Sequence, residues 1–360
     1  MIAMSYKVRH YQYKNRIGNL KAEAVGVVSG EKHFPIFPGD MIFKPLTKSK
    51  PFSTPLYAYA EVFWSTIINE YFMPAPRYEL AICEGYEAVN EKYLDYGTAV
   101  PMAYKEGESL LNLLEFFRKY PDEKVDIDNY VNYCQMFYDY RDIFEAAFFQ
   151  EHREMAEQLA MQILISVLKG DQNYHYENVA FLCDKDGGII SLAPMIDHEF
   201  STYFMFPDDI SRHVYWLMEL SKSIRGWEVR PGEYDNFKDP EERKLMEKSA
   251  TCIHKNLLYI KEHYPQTTEE FLDKAEKLKT ALTEASEDFL IRGNTEYPDS
   301  SAWLIGKARY KDKDEEKASA YEAELYGKGK KLDFRDVSIS AINEIKAVIS
   351  QMEEVLRKRE

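Results

Sequence analysis

The chain is sparing with cysteine and never clusters it. Cys83, Cys134, Cys183 and Cys252 are scattered through 360 residues. No CxxC pair exists, which excludes a disulfide framework or a zinc site of the usual spacing. The expected state is buried thiols in a reducing compartment. No run approaches the ~18–20 consecutive apolar residues that cross a bilayer. Met1 to Tyr13 also lacks the apolar core of a secretory signal. A soluble, cytoplasmic protein is therefore expected. Excess positive charge is missing too. The net charge of −15 argues against nucleic-acid binding through a basic surface. It equally disfavours docking on anionic membranes. No internal repeat is present.

What the chain does have is apolar and aromatic mass. Hydrophobic residues make up 45% of it, with 27 Tyr and 20 Phe, enough for a sizeable core. The first part reads as strands: Tyr6 to Tyr13, Ala22 to Val28 and Phe34 to Lys44, broken by Gly and Pro. From Thr54 the apolar spacing becomes helical through Tyr71, and Pro74 and Pro76 end it. Arg77 to Cys83 returns to strand. A small β-rich lobe over 1–88 is expected. Helices follow at Ser109 to Tyr120, Asp126 to Phe149 and His152 to Lys169. Val179 to Cys183 and Ile189 to Leu192 flank Asp184-Lys185-Asp186-Gly187-Gly188, a hairpin signal. Ile210 to Lys222, Pro240 to His263 and Thr267 to Arg292 complete a helical lobe over 89–293. The tail, 294–360, opens on charge runs. It closes on a helix with Ile342, Ile345, Ile349, Met352 and Leu356 at alternating spacings of three and four. That seam is expected to pack onto the body.

The informative stretch runs Gly170-Asp171-Gln172-Asn173-Tyr174-His175-Tyr176-Glu177-Asn178, followed after the hairpin by Pro194-Met195-Ile196-Asp197. An Asn and an Asp around a hairpin can hold Mg²⁺ against ATP phosphates, while an acid in the turn orients an attacking hydroxyl. Asn178 and Asp197 are the expected metal ligands. An acid closing an apolar strand needs a partner, which a metal supplies; a helix N-cap is the plainer alternative. Upstream, Lys44 closes a strand and Glu61 lies on the next helix. A strand lysine held by a helix glutamate is a recurring part of kinase sites. Val28-Ser29-Gly30-Glu31-Lys32-His33 is a turn whose backbone N–H groups can cradle phosphates, with an ordinary hairpin loop as the alternative. Ser29, Gly30, Lys32, Lys44 and Glu61 are thus the expected nucleotide-binding residues. His175 is expected to brace the turn through the backbone or Asp197.

These residues resemble the HipA-like kinases, a family that includes bacterial toxin kinases. Its catalytic segment reads Asp-x-His-x-x-Asn, then a hairpin, then Pro-x-x-Asp. Here Asn173 to Asn178 and Pro194 to Asp197 match it, and the resemblance spans about residues 20 to 290. It implies an α+β, two-lobed protein-kinase-like fold, with a small β-rich N-lobe and a larger helical C-lobe. It also implies ATP and Mg²⁺ as cofactors, a protein Ser/Thr substrate and an antitoxin-like partner. Lys44 matches the family's ATP lysine. One position departs: Asn173 stands where the family has its catalytic aspartate. Asp171, two residues earlier, is the expected substitute for orienting the acceptor. The same departure motivates a pseudokinase reading. The turn also resembles the Asp-Arg-His-x-x-Asn loop of phosphatidylinositol kinases, which leaves a lipid or small-molecule acceptor open.

Overall fold

The computed structural model describes residues 4, 6, 8–12, 22–24, 33–37, 41–47, 55–86, 93–105, 107–126, 138–171, 174–198, 201–204, 210–227, 240–284, 289–290, 296 and 334–358. The chain divides into two compact units. One gathers Met1–Met102, Ile196–His213 and Ala281–Glu344. The other gathers Ala103–Met195, Val214–Thr280 and Ile345–Glu360. The secondary structure is α+β, with strands concentrated in the N-terminal part and helices in the C-terminal part.

The first unit is built on a six-stranded sheet. Its strands are β1 (Val8–Gln12), β2 (Ala22–Ala24), β3 (His33–Phe37), β4 (Met41–Thr47), β5 (Glu79–Glu84) and β6 (Tyr93–Pro101). They lie in the order β1-β5-β6-β4-β3-β2. The β1–β5 pair is parallel and the other pairs are antiparallel. The single strand expected over Phe34 to Lys44 is in fact an antiparallel pair, with Phe37 opposite Met41. The intervening Pro38-Gly39 is the turn signal that separates them. The sheet also continues past residue 88, because β6 pairs with both β4 and β5. Clean alternation is absent from β6, which is buried on both faces from Gly97 to Val100; hence its weak sequence signal.

Helix α1 (Pro55–Ile67) is buried at every position, as expected for a helix apolar on all sides. Glu61 is its single charged residue. The helix continues into a π-helical turn, Ile68–Phe72, closed by the Met73 N–H donating to the Ile68 carbonyl at 2.9 Å. Phe63 packs edge-on against Phe204 and Phe289, and Trp64 Nε1 donates to Ser201 Oγ at 2.9 Å. Residues remote in sequence thus complete this unit's core. A second cluster joins Met41, Phe43, Ala81, Cys83, Tyr86 and Ala99 across β4, β5 and β6.

In the second unit, Ser109 to Tyr120 is only partly helical. Ser109–Asn112 is strand β7, and α2 is Leu113–Lys119. Asn112 sets the boundary, its side chain accepting from the Glu115 N–H at 2.7 Å, a standard N-cap. Strand β7 joins β8 (Ala180–Cys183) and β9 (Ile189–Leu192) in a three-stranded antiparallel sheet. The expected hairpin is present. Asp184 Oδ1 accepts from the Asp186 and Gly188 N–H groups, and Gly187 takes φ +80°. Instead of one helix ending at Phe149, α3 (Arg141–Glu145) and α4 (Ala147–Glu151) are separated by Ala146 in extended geometry. Then come α5 (Arg153–Lys169), α6 (Ile210–Arg225), α7 (Pro240–His263), α8 (Pro265–Glu284) and α9 (Phe334–Arg357). The seam of α9 is buried from Ile342 to Leu356. Residues 334–344 of this helix belong to the first unit and 345–357 to the second.

Gly97 of β6 faces Pro45 of β4. A Cβ there would lie 2.0 Å from the Lys44 carbonyl oxygen and 2.7 Å from Pro45 Cα. Both are backbone atoms, so relief requires β4 to move. Gly97→Ala is expected to lower unfolding free energy by about 1–3 kcal/mol, the usual cost of overpacking. Urea denaturation checks this.

Candidate active site

Two groups of polar residues contain the described candidate site residues, one in each unit. In the first, Lys44 rises from the middle of β4, opposite Thr98 of β6. Lys44 Nζ donates to Glu61 Oε1 at 2.6 Å and also to Asp197 Oδ1. Thr98 Oγ1 donates to the other Glu61 oxygen at 2.7 Å. Both oxygens of a carboxylate with 2% side-chain exposure are therefore engaged. Lys44 and Asp197 remain partly open, at 21% and 26%. The strand lysine and helix glutamate that the sequence suggested as partners do meet. The contact of Lys44 with Asp197, 153 residues away, had no sequence signal, nor did the supporting role of Thr98.

Asp197 has φ +63°, the only non-glycine positive φ among the described residues. Asp tolerates this region better than most residues, and such backbone geometry clusters at functional sites. Residues 193–198 are irregular, so Asp197 does not start a helix. Its N–H donates to the Tyr78 hydroxyl at 3.2 Å. Tyr78 is buried, and its ring meets His198 edge-on. Burial first, and then the nearby Glu61 charge, push the Tyr78 hydroxyl well above its ordinary range, so it stays protonated.

Burial also raises the Glu61 carboxyl. The Asp197 charge adds to the rise, while Lys44 and the Lys44 and Thr98 hydrogen bonds oppose it. One lysine here faces two carboxylates. The Asp197 carboxylate and the Asn178 amide oxygen, one in each unit, are hard oxygen donors of the kind Mg²⁺ takes. Among the described residues no cluster of three or more His, Cys, Asp or Glu is arranged to hold a metal.

The second group lies in the loop after α5. Gly170 caps the helix with φ +59°. The Gly170 N–H donates to the Val167 carbonyl and the Asp171 N–H to the Ser166 carbonyl, each at 3.0 Å, a Schellman ending. Asp171 is buried, and Lys169 Nζ donates to its Oδ2 at 2.7 Å, with side-chain exposures of 0% for Lys169 and 2% for Asp171. The adjacent tyrosines face inward. Tyr174 hydroxyl donates to Gln162 Oε1 at 2.7 Å, and Gln162 Nε2 donates to the Ala193 carbonyl at 2.8 Å. Tyr140 hydroxyl donates to the Tyr174 carbonyl at 2.9 Å, and the Tyr140 ring meets Tyr176 edge-on at 5.0 Å.

His175 Nδ1 accepts from the Glu177 N–H at 3.2 Å, and the Asn178 N–H donates to the His175 carbonyl at 2.8 Å. His175 thus braces the turn through the backbone. Asn178 is half-buried, two residues before β8 starts. It belongs to the second unit and Asp197 to the first. Ser29, Gly30, Lys32 and Asn173 lie outside the described residues.

No protein-family model matches the chain, and no curated protein matches it. Among solved structures it is similar to a Helicobacter pylori proinflammatory kinase, CtkA. The identity is 13% and the TM-score 0.43, over 88% of this chain and 99% of that one.

The raised Glu61 carboxyl makes stability pH-dependent. The folded state holds this proton to higher pH than the unfolded chain does. The group's contribution is therefore fully present below the ordinary carboxyl range. It is lost as pH rises through the raised folded value. Relative to Glu61→Gln, the wild type should lose stability on raising pH across that window, by at most about 1.4 kcal/mol per pH unit for one proton. Paired urea titrations of the two proteins from acid to neutral pH measure the difference.

Proposed function

We propose that the chain is a kinase-type phosphotransferase that uses ATP with Mg²⁺ and acts on a protein hydroxyl, as in HipA-like kinases. The observation that carries this reading is Lys44, held by a buried helix glutamate and touching Asp197. A strand lysine, a helix glutamate and an acid after a hairpin are recurring parts of phosphoryl-transfer sites.

In this reading Lys44 stays on Glu61 and turns its remaining N–H groups toward the α/β-phosphates. The turn bearing Ser29, Gly30 and Lys32 cradles the phosphates through its backbone. Asn178 and Asp197 hold Mg²⁺, which when bound neutralises phosphate charge. Transfer breaks the bond between the γ-phosphorus and its bridging oxygen, which leaves as ADP, while the acceptor oxygen bonds to phosphorus and its proton is released to solvent. The transition state is largely dissociative, so the protein's work is positioning and charge stabilisation.

A second reading, a nucleotide-binding regulator, is favoured by one observation. Asp171, the substitute acid, is buried against Lys169, and Asn173 is an amide.

Incubation with labelled ATP and Mg²⁺ separates the two. Phosphotransfer by the wild type, falling at least 100-fold in Asp197→Ala, supports the enzyme. A wild type that binds ATP without turnover, while Asn173→Asp gains activity, supports the regulator. No nucleotide binding by either protein sinks both.

A further inference from the structure

We infer that Lys169 and Asp171 form a buried latch that positions the His175–Asn178 turn, and that Asp171 is a positioning residue, not the acid at the acceptor. This rests on the phosphotransferase reading above. A lysine in the last turn of a helix ordinarily favours the helix dipole while its ammonium reaches water. Lys169 does otherwise: its side chain is 0% exposed and its ammonium meets Asp171 at 2.7 Å. Burying such a pair gains little stability over apolar residues of similar volume. Its attested use is to fix one arrangement among several, and the surroundings fit that use.

The pair straddles Gly170, where the chain leaves α5 with φ +59°. Asp171 is therefore tied to the helix twice, by its N–H to Ser166 and by its carboxylate to Lys169. Three residues on, Tyr174 is fastened to Gln162 of the same helix and, through its carbonyl, to Tyr140. The chain is thus held at Asp171 and again at Tyr174. From Tyr174 the turn runs to Asn178 through the His175 contacts. A carboxylate with 2% exposure and a lysine 2.7 Å away is fixed in place. Swinging out toward an acceptor would break a buried ion pair, which is costly in the interior.

Single substitutions break the buried pair and destabilise the fold, so two double variants carry the test. Lys169→Met/Asp171→Leu keeps volume and removes the pair. Lys169→Asp/Asp171→Lys reverses it. Each is compared with wild type for phosphotransfer from labelled ATP, fluorescent-ATP affinity, thermal stability and hydrogen exchange at the Glu177 and Asn178 amides. The latch predicts that the apolar variant folds and keeps ATP affinity within about twofold. Its kcat should fall at least tenfold, and the two amides should exchange at least tenfold faster. The reversed pair should recover slow exchange and most of kcat.

Full kcat in the apolar variant would overturn the latch. So would a folded, slowly exchanging reversed pair without activity, since Asp171 would then be the acid itself. If the wild type shows no phosphotransfer, the parent reading fails separately. Amide exchange then decides the latch alone: unchanged exchange in the apolar variant refutes it.

Discussion

A single buried carboxylate organises the first unit. Glu61 sits in a helix otherwise free of charge, on all sides of which the chain is packed. An unpaired carboxylate there would be prohibitively costly. The fold answers with Lys44 from β4 and Thr98 from β6, so the helix and two adjacent strands are fixed together by one residue's need for partners. Lys44, in turn, is held where it meets Asp197. The Lys44 ammonium is fixed by the buried Glu61 while the side chain stays partly exposed.

The second unit solves a different problem with aromatic side chains. A polar loop must be held still without a long ladder of backbone hydrogen bonds. Tyr140, Tyr174 and Tyr176 each present an apolar ring to the interior and a hydroxyl to a specific acceptor. Such residues combine large buried area with a polar handle. The tyrosine-rich composition is thus used for order around the loop as well as for bulk in the core.

Much of this was legible in the sequence because local periodicity carries it. Helices α5, α7 and α8 and the β8–β9 hairpin follow from apolar spacing and Gly-bearing turns. Where tertiary burial overrides local pattern, the sequence misleads. Ser109–Asn112 looked helical and pairs as a strand with Ala180–Cys183. Strand β6 hid because Gly97 and its two-sided burial erase alternation. Within the site, Lys44 and Glu61 were recognisable by type and order. Their contacts with Thr98 and Asp197 were not, since pairings across tens to hundreds of residues leave no local trace. Lys169 with Asp171 could have been found: a lysine ending an apolar helix, two residues before an acid, is a visible pattern. Tyr78 carried no signal.

The first unit is assembled from three separate stretches of chain, and that has a consequence for how the protein is made. A ribosome delivers the six sheet strands within the first 102 residues, yet Asp197, Ser201, Phe204 and Phe289 come much later. Until then Lys44 lacks one carboxylate, Trp64 lacks its hydroxyl partner and Phe63 lacks two of its aromatic neighbours, Phe204 and Phe289. Vectorial synthesis thus leaves the N-terminal sheet waiting, with apolar surface exposed, for most of translation. Contacts of such long sequence separation also slow folding from the denatured state. The part of the chain that is born first waits for residues made near the end.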